Sequence, residues 1–166
     1  MRTTTVFATA SSTMHADLIV VGLKRLGIPT SGVSVLYPTY SQPDTVVYWL
    51  DGSARLAMSP SGQTVAVSGP LRVALEQQYH GEDGIPPLVQ GLRSLGLTNE
   101  QSHNFESALL NDRIVIGINT SDDSELALVI HILHHIGAEK IVIAETPVAE
   151  RMHISAKKQP LSLSAA

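Results

Sequence analysis

Three histidines fall close together in a segment that is predicted to be helical, namely His131, His134 and His135. His131 and His135 are four residues apart, so their side chains share one face of a helix. A pair with this spacing can bind zinc or nickel when further ligands come from elsewhere, for example an acid such as Glu125 or Asp122. The sequence therefore offers His131 and His135 as candidate metal ligands.

The same histidine pair also has a structural interpretation. It lacks the glutamate of the His-Glu-x-x-His motif, and the chain contains no cysteine that could complete a site. We therefore favour a partly exposed helix face or a contact between subunits. A metal-binding protein or metal-dependent enzyme remains the alternative.

Other polar groups offer little chemistry. The loop His80–Gly84 combines one histidine with two acids, as an acid–base or metal site would, but this composition is typical of surface loops. Asp122 and Asp123 fit the start of a helix, where acids cap the chain and interact well with the helix dipole. Ser59 and Ser61 lie in a Pro-Gly turn and not in a nucleophile elbow. The sequence assigns no catalytic residue and no cofactor.

Composition limits the class of protein. A chain of 166 residues with 43% hydrophobic and 16% charged residues predicts one globular domain with a substantial core. The net charge of −4 argues against a nucleic-acid or membrane-surface partner, since both require clustered Lys and Arg. No apolar run approaches the ~18 residues that would span a bilayer. We expect a cytoplasmic protein.

Three helix endings share one pattern, in which apolar residues three apart are followed by glycine and another apolar residue. The glycines are Gly27, Gly96 and Gly137. Glycine adopts a left-handed backbone without steric cost, and helices commonly end on such a residue. The pattern predicts helices over Met14–Leu26 and Leu88–Leu95, and a third that ends at Gly137.

Two stretches read as strand, helix, glycine and strand, namely 3–38 and 113–145. Two such βαβ units predict an α+β fold with the ferredoxin-like split βαβ topology. Four strands would form an antiparallel sheet with both long helices on one face. Residues 39–112 would be an insert within a single domain, 1–146, and 147–166 a partly disordered tail. A doubly wound parallel sheet is the rival.

The insert has its own turn and cap signals. Asp51-Gly52 predicts a β-hairpin, followed by short strands over Arg55–Met58 and Gln63–Ser68. A helix is predicted over Leu71–Tyr79, and Thr98 begins a capping box for another helix. Beyond the insert, Thr120 or Ser121 is expected to cap the helix that carries the histidines.

Two helical segments are apolar almost all round, Leu18–Val21 and Leu126–Ile130. A helix of this kind is buried on more than one side. One side would meet the sheet, and the other would meet the insert or a second subunit. We expect a homodimer, the commonest symmetric assembly.

Several glycine and apolar positions follow a known pattern: Leu26–Pro29, Val33–Pro38, Leu88–Leu97, Phe105–Leu109, Arg113–Gly117 and Ile136–Ala138. In these positions the chain resembles the bacterial heat-induced stress protein family, the YflT-like general stress proteins. Where similar proteins often carry a Gly/Ala-rich apolar segment, residues 44–68 are polar. The resemblance implies a stress-associated accessory or regulatory protein without enzymatic activity. A regulatory domain that binds a small molecule is a further alternative, by analogy of fold.

Overall fold

A computed structural model describes residues 3–39, 54–58, 63–73 and 87–146. The helices and strands in these ranges are, in chain order, β1 (Thr3–Ala10), α1 (Thr13–Arg25), a 3-10 turn (Thr30–Gly32), β2 (Val33–Pro38), β3 (Ala54–Ala57), β4 (Thr64–Ser68), α2 (Leu88–Ser94), α3 (Asn99–Leu110), β5 (Ile114–Thr120), α4 (Asp123–His135) and β6 (Glu139–Thr146). No helix in the described ranges is long and apolar enough to cross a membrane.

Some predictions fall outside these ranges. They are the turn at Asp51-Gly52, the two serines Ser59 and Ser61, the loop His80–Gly84 and the tail 147–166. Of the helix predicted over Leu71–Tyr79, the described residues 71–73 are helical.

The strands form one antiparallel sheet in the order β3-β4-β2-β5-β1-β6. The α+β class is therefore confirmed. Strands from the two halves alternate in the centre, where Val6 of β1 pairs with Ile118 of β5 on one side and Ile143 of β6 on the other.

The prediction of four strands was wrong, because β3 and β4 extend the sheet beyond β2. Leu36 of β2 pairs with Val67 of β4, and Leu56 of β3 pairs with Val65. A strand at the edge of a sheet exposes unpaired N–H and C=O groups. The insert satisfies those groups along β2.

Each face of the sheet is covered by helices. On one face α1 and α4 pack with the strands around Ile19, Val20, Val129 and Leu133. On the other face α2 and α3 pack around a second cluster that includes Phe7, whose ring centroid lies 5.8 Å from that of Phe105. The core is thus divided by the sheet into two layers of mainly aliphatic side chains.

The helices α1, α2, α3 and α4 end in the same way. Gly27, Gly96 and Gly137 have φ angles of 87°, 104° and 82°, as predicted. In α1 the N–H of Ile28 donates to the carbonyl of Leu23 at 3.0 Å, which is the Schellman arrangement.

The fourth ending belongs to α3 and has no glycine. Asp112 takes the left-handed position with φ of 64°. Arg113 N–H donates to the carbonyl of Ala108 at 2.9 Å, and Asp112 N–H donates to that of Leu109 at 3.2 Å. Because this ending has no glycine, the glycine pattern does not predict it. Asp is nevertheless one of the residues that tolerate the left-handed conformation.

The helix starts confirm one prediction and correct another. Thr98 and Gln101 form the predicted capping box. Asp122 caps α4, whereas Thr120 or Ser121 was expected. Thr120 is still part of β5, and its hydroxyl donates to the carbonyl of Thr4 at 3.1 Å. Strand β5 therefore extends beyond its apolar residues, and α4 begins later in the chain than expected.

Candidate functional site

The three histidines of α4 lie in its last two turns, and all three are exposed. The rings of His131 and His135 are nearly parallel, with an interplanar angle of 16° and centroids 6.2 Å apart. The i, i+4 spacing therefore brings these two side chains together on one exposed stripe of the helix. His134 faces a different direction.

Two half-buried isoleucines, Ile132 and Ile136, identify the side of α4 that faces α1. A Cβ atom on Gly22 of α1 would lie 2.8 Å from Ile136 Cδ1 and 3.4 Å from Ile132 Cγ1. Leu128 precedes Ile132 by one turn and is 43% exposed. Positions 128, 131 and 135 follow the i, i+3, i+7 spacing of a single stripe. This stripe lies on the outer side of α4, next to α1.

The outward side of α1 is apolar in its first turns and ends at an exposed cation, Arg25, seven residues after Leu18. Met14 is 71% exposed and Leu18 is 55% exposed, one turn apart. The sheet is covered on this face by α1 and α4 together. We call the outer surface formed by Met14, Leu18, Leu128, His131 and His135 the helix-layer surface.

The two helices are tied together at one end of this surface. His15 Nε2 lies 2.8 Å from the carbonyl oxygen of Ile136, which follows α4 directly. Met14 and His135 are the chain neighbours of these two residues, so both lie at this end of the layer.

The acids proposed as further metal ligands lie at the opposite end of α4. Glu125 is six residues before His131, which is about 9 Å along a helix axis. Its carboxylate accepts from Ser121 N–H at 2.9 Å, and Asp122 accepts from Glu125 N–H at 2.8 Å. In the described ranges, no group of three or more His, Asp or Glu residues could hold a metal ion. His131 and His135 remain predicted ligands, and these two acids cap the helix.

A groove on the other side of α4 was not predicted. It has a volume of about 420 Å³ and lies between α4 and β6, lined by Ile130, His134, Ala138, Lys140, Ile141 and Ile143. Among the described lining residues, the polar side chains are one imidazole and one ammonium, and the others are aliphatic. Such a lining suits a small ligand with a negative group and an apolar part.

A β-bulge shapes this groove. Phe7 pairs with Val142 and Thr9 with Glu139, so β6 has one residue more than β1 between these pairs. Lys140 lies at the bulge with φ of 52°, a conformation usually occupied by glycine at this kind of bulge. Because Lys is an unusual residue there, the sequence carried no signal for the bulge.

Two buried polar side chains lie in the helix layer on the opposite face of the sheet. Ser102 of α3 is fully buried, and its Oγ has no hydrogen-bond partner within the described ranges. Glu106, one turn later, is buried too, and its Oε1 lies 3.9 Å from His103 Nδ1. Both polar residues face the core with Phe105, which is why the apolar pattern of α3 is weak. Sequence reasoning did not single them out.

Comparison with known proteins gives no match to a family model, to a curated protein or to a solved structure. The resemblance to heat-induced stress proteins therefore stays a prediction from motif positions. The glycine endings that carry it also have a purely structural explanation, since each closes a helix.

Proposed function

We propose that this chain is a non-enzymatic accessory or regulatory protein that acts as a homodimer, with its two βαβ halves in the ferredoxin-like arrangement. The strand order β2-β5-β1-β6 supports that arrangement, because each half contributes two strands separated by one strand of the other half. The helix-layer surface is where the second copy binds.

The exposed apolar residues of the helix-layer surface carry this proposal. Met14, Leu18 and Leu128 are 71%, 55% and 43% exposed and lie on the same outer side of two adjacent helices. Grouped apolar side chains on a surface mark sites of association, whereas single ones are ordinary. A two-fold axis through the layer places the same patch on both partners, as a symmetric dimer requires.

The experiment is a mass measurement by sedimentation velocity in the presence of a chelator. We expect the wild-type chain to have twice the single-chain mass of 17.7 kDa. Leu18→Glu introduces a charge into the patch and should give the single-chain mass. Leu110→Glu is the matched control, since Leu110 is 36% exposed on α3, in the layer on the opposite face. A monomeric wild-type protein, or a dimer that survives Leu18→Glu, contradicts the proposal.

The link to stress rests on the resemblance described above. If the protein is stress-associated, its abundance in its own host should rise after a heat step. Quantitative mass spectrometry before and after the step measures this. An unchanged level, beside an induced chaperone as the positive control, contradicts the link.

The groove beside β6 favours a second candidate, a regulatory domain that binds a small molecule. Lys140 provides a cationic group, His134 provides an imidazole for hydrogen bonding, and Ile130 and Ile143 provide apolar contact. A thermal-shift screen over amino acids, short carboxylic acids and nucleotides tests it. A ligand that raises Tm in the wild type and not in His134→Ala supports binding at this groove, and a screen without hits contradicts it.

A further inference from the structure

We propose that His131 and His135 are one half of a transition-metal site, which is completed by the same two histidines of a second copy across the helix-layer surface. The proposal rests on the homodimer proposed above and adds a metal ion to its interface. Within the described ranges, the pair has no third ligand from its own chain.

The donor set determines which metal ions fit. Imidazole nitrogen binds zinc, copper, nickel and related ions, while calcium and magnesium require oxygen ligands. His131 and His135 supply two nitrogens, whereas a structural zinc site has four ligands in a tetrahedron. A two-fold axis repeats the histidine pair in the second copy, and the repeated pair supplies the two missing ligands.

The surroundings of the pair favour a second copy over a third ligand from the same chain. Within the described ranges no further His, Asp or Glu joins the pair to form a group of three. The acids of α4 nearest to His131 in sequence, Glu125 and Asp123, lie two turns away in the first turn of the helix. His134 lies next to His135 in sequence, but its side chain lines the groove beside Lys140.

The position of the pair is suited to an interface. Both imidazoles are exposed, so their rings are free to turn towards a common ion. Leu128 lies on the same stripe, and Met14 and Leu18 lie on the adjacent helix. When two copies meet, these apolar side chains border the four imidazoles and exclude water from the metal bonds.

Binding of the metal and binding of the second copy must be coupled in this arrangement. By linkage, the factor by which zinc tightens the dimer equals the factor by which dimer formation tightens zinc. For an ion held by both subunits we expect a tightening of about 10–100-fold. The stoichiometry follows from the geometry as one ion per two chains.

The test uses the untagged, full-length chain after treatment with a chelator. Zinc chloride is titrated while sedimentation velocity gives the dimer dissociation constant, and the bound metal is measured after gel filtration. We expect one zinc per two chains and a dissociation constant about 10–100-fold lower with zinc. His131→Ala and His135→Ala should each lose the zinc effect. His103→Ala is the matched control, because it removes an exposed histidine from α3, in the layer on the opposite face, and it should keep the effect.

The other outcomes separate the two proposals. A chain that dimerises without metal through Leu18, but shows no response to zinc, overturns the metal site and leaves the proposed function intact. One zinc per chain with no change in mass overturns the shared site. A zinc effect that survives His131→Ala assigns the metal to other residues and overturns the assignment. A chain that is monomeric with and without zinc overturns both proposals.

Discussion

The Nε2 atom of His15 lies 2.8 Å from the carbonyl oxygen of Ile136, and this contact joins the start of α1 to the end of α4. On the other side of the ring, Nδ1 lies 2.9 Å from the backbone nitrogen of Ser11. A backbone N–H can only donate, so Nδ1 must accept. The ring is therefore the neutral Nε2–H tautomer, and its proton is donated to Ile136.

Replacing His15 removes both of these hydrogen bonds. We expect His15→Ala to lower the free energy of unfolding by about 1–2 kcal/mol, since the carbonyl of Ile136 loses its donor. Urea denaturation measures this, and nitrogen NMR of the wild-type ring reports the tautomer. His134→Ala, at an exposed site, should change stability by less than about 0.5 kcal/mol. An Nδ1–H tautomer in the wild type contradicts the assignment.

The three glycine endings should differ in their tolerance of alanine. At Gly27 and Gly137 an added Cβ has no neighbour within 4 Å, so Ala costs only the left-handed backbone, about 1–2 kcal/mol. At Gly96 the same atom would lie 2.5 Å from the carbonyl oxygen of Glu145 in β6. We expect Gly96→Ala to cost at least about 1 kcal/mol more than Gly27→Ala, because backbone must move. Equal losses in chemical denaturation contradict this close approach.

Two buried serines should respond differently to replacement by alanine. The Oγ of Ser102 has no partner within the described ranges, so Ser102→Ala should be neutral or raise stability by about 1 kcal/mol. The Oγ of Ser34 accepts from Leu71 N–H at 2.9 Å, and Ser34 is also fully buried. Ser34→Ala should lower stability by about 1–3 kcal/mol because it leaves that N–H unpaired. Calorimetric Tm values of the two variants give the comparison, and a loss at Ser102 would show that its hydroxyl is satisfied.

The start of α4 gives a direct test of the corrected cap. Asp122→Ala removes the acceptor of the Glu125 N–H and should cost about 1 kcal/mol. Ser121→Ala keeps the backbone N–H that donates to Glu125 and loses only a hydroxyl contact of 3.3 Å, so it should cost less. The urea midpoints of both variants measure the difference. The reverse order would restore Ser121 as the cap.

Much of the central architecture could be predicted because its signals are local. Gly27 and Gly137 end their helices where the left-handed conformation is required, and the apolar runs of β1 and β5 mark buried strands. These features depend on neighbouring residues only. The addition of β3 and β4 to the sheet could not be predicted in the same way, because it depends on which strand edge is left uncovered.

The candidate site was predicted less completely than the fold. The spacing of His131 and His135 does place them on one face, as helix periodicity requires. Their distance from Glu125 also follows from the rise of a helix, which separates residues six apart by about 9 Å. The groove at Lys140 depends on a bulge that the residue types do not encode, so its lining residues were missed.

The interleaved order of the strands has a consequence for how this chain folds. β1 is synthesised well before its neighbours β5 and β6, and Thr4 pairs with Thr120 and Glu145. Contacts between such distant residues form slowly, because a long loop must close before they stabilise the chain. β1 therefore leaves the ribosome long before β5 and β6 exist, and the early chain must keep β1 from pairing elsewhere until β6 arrives.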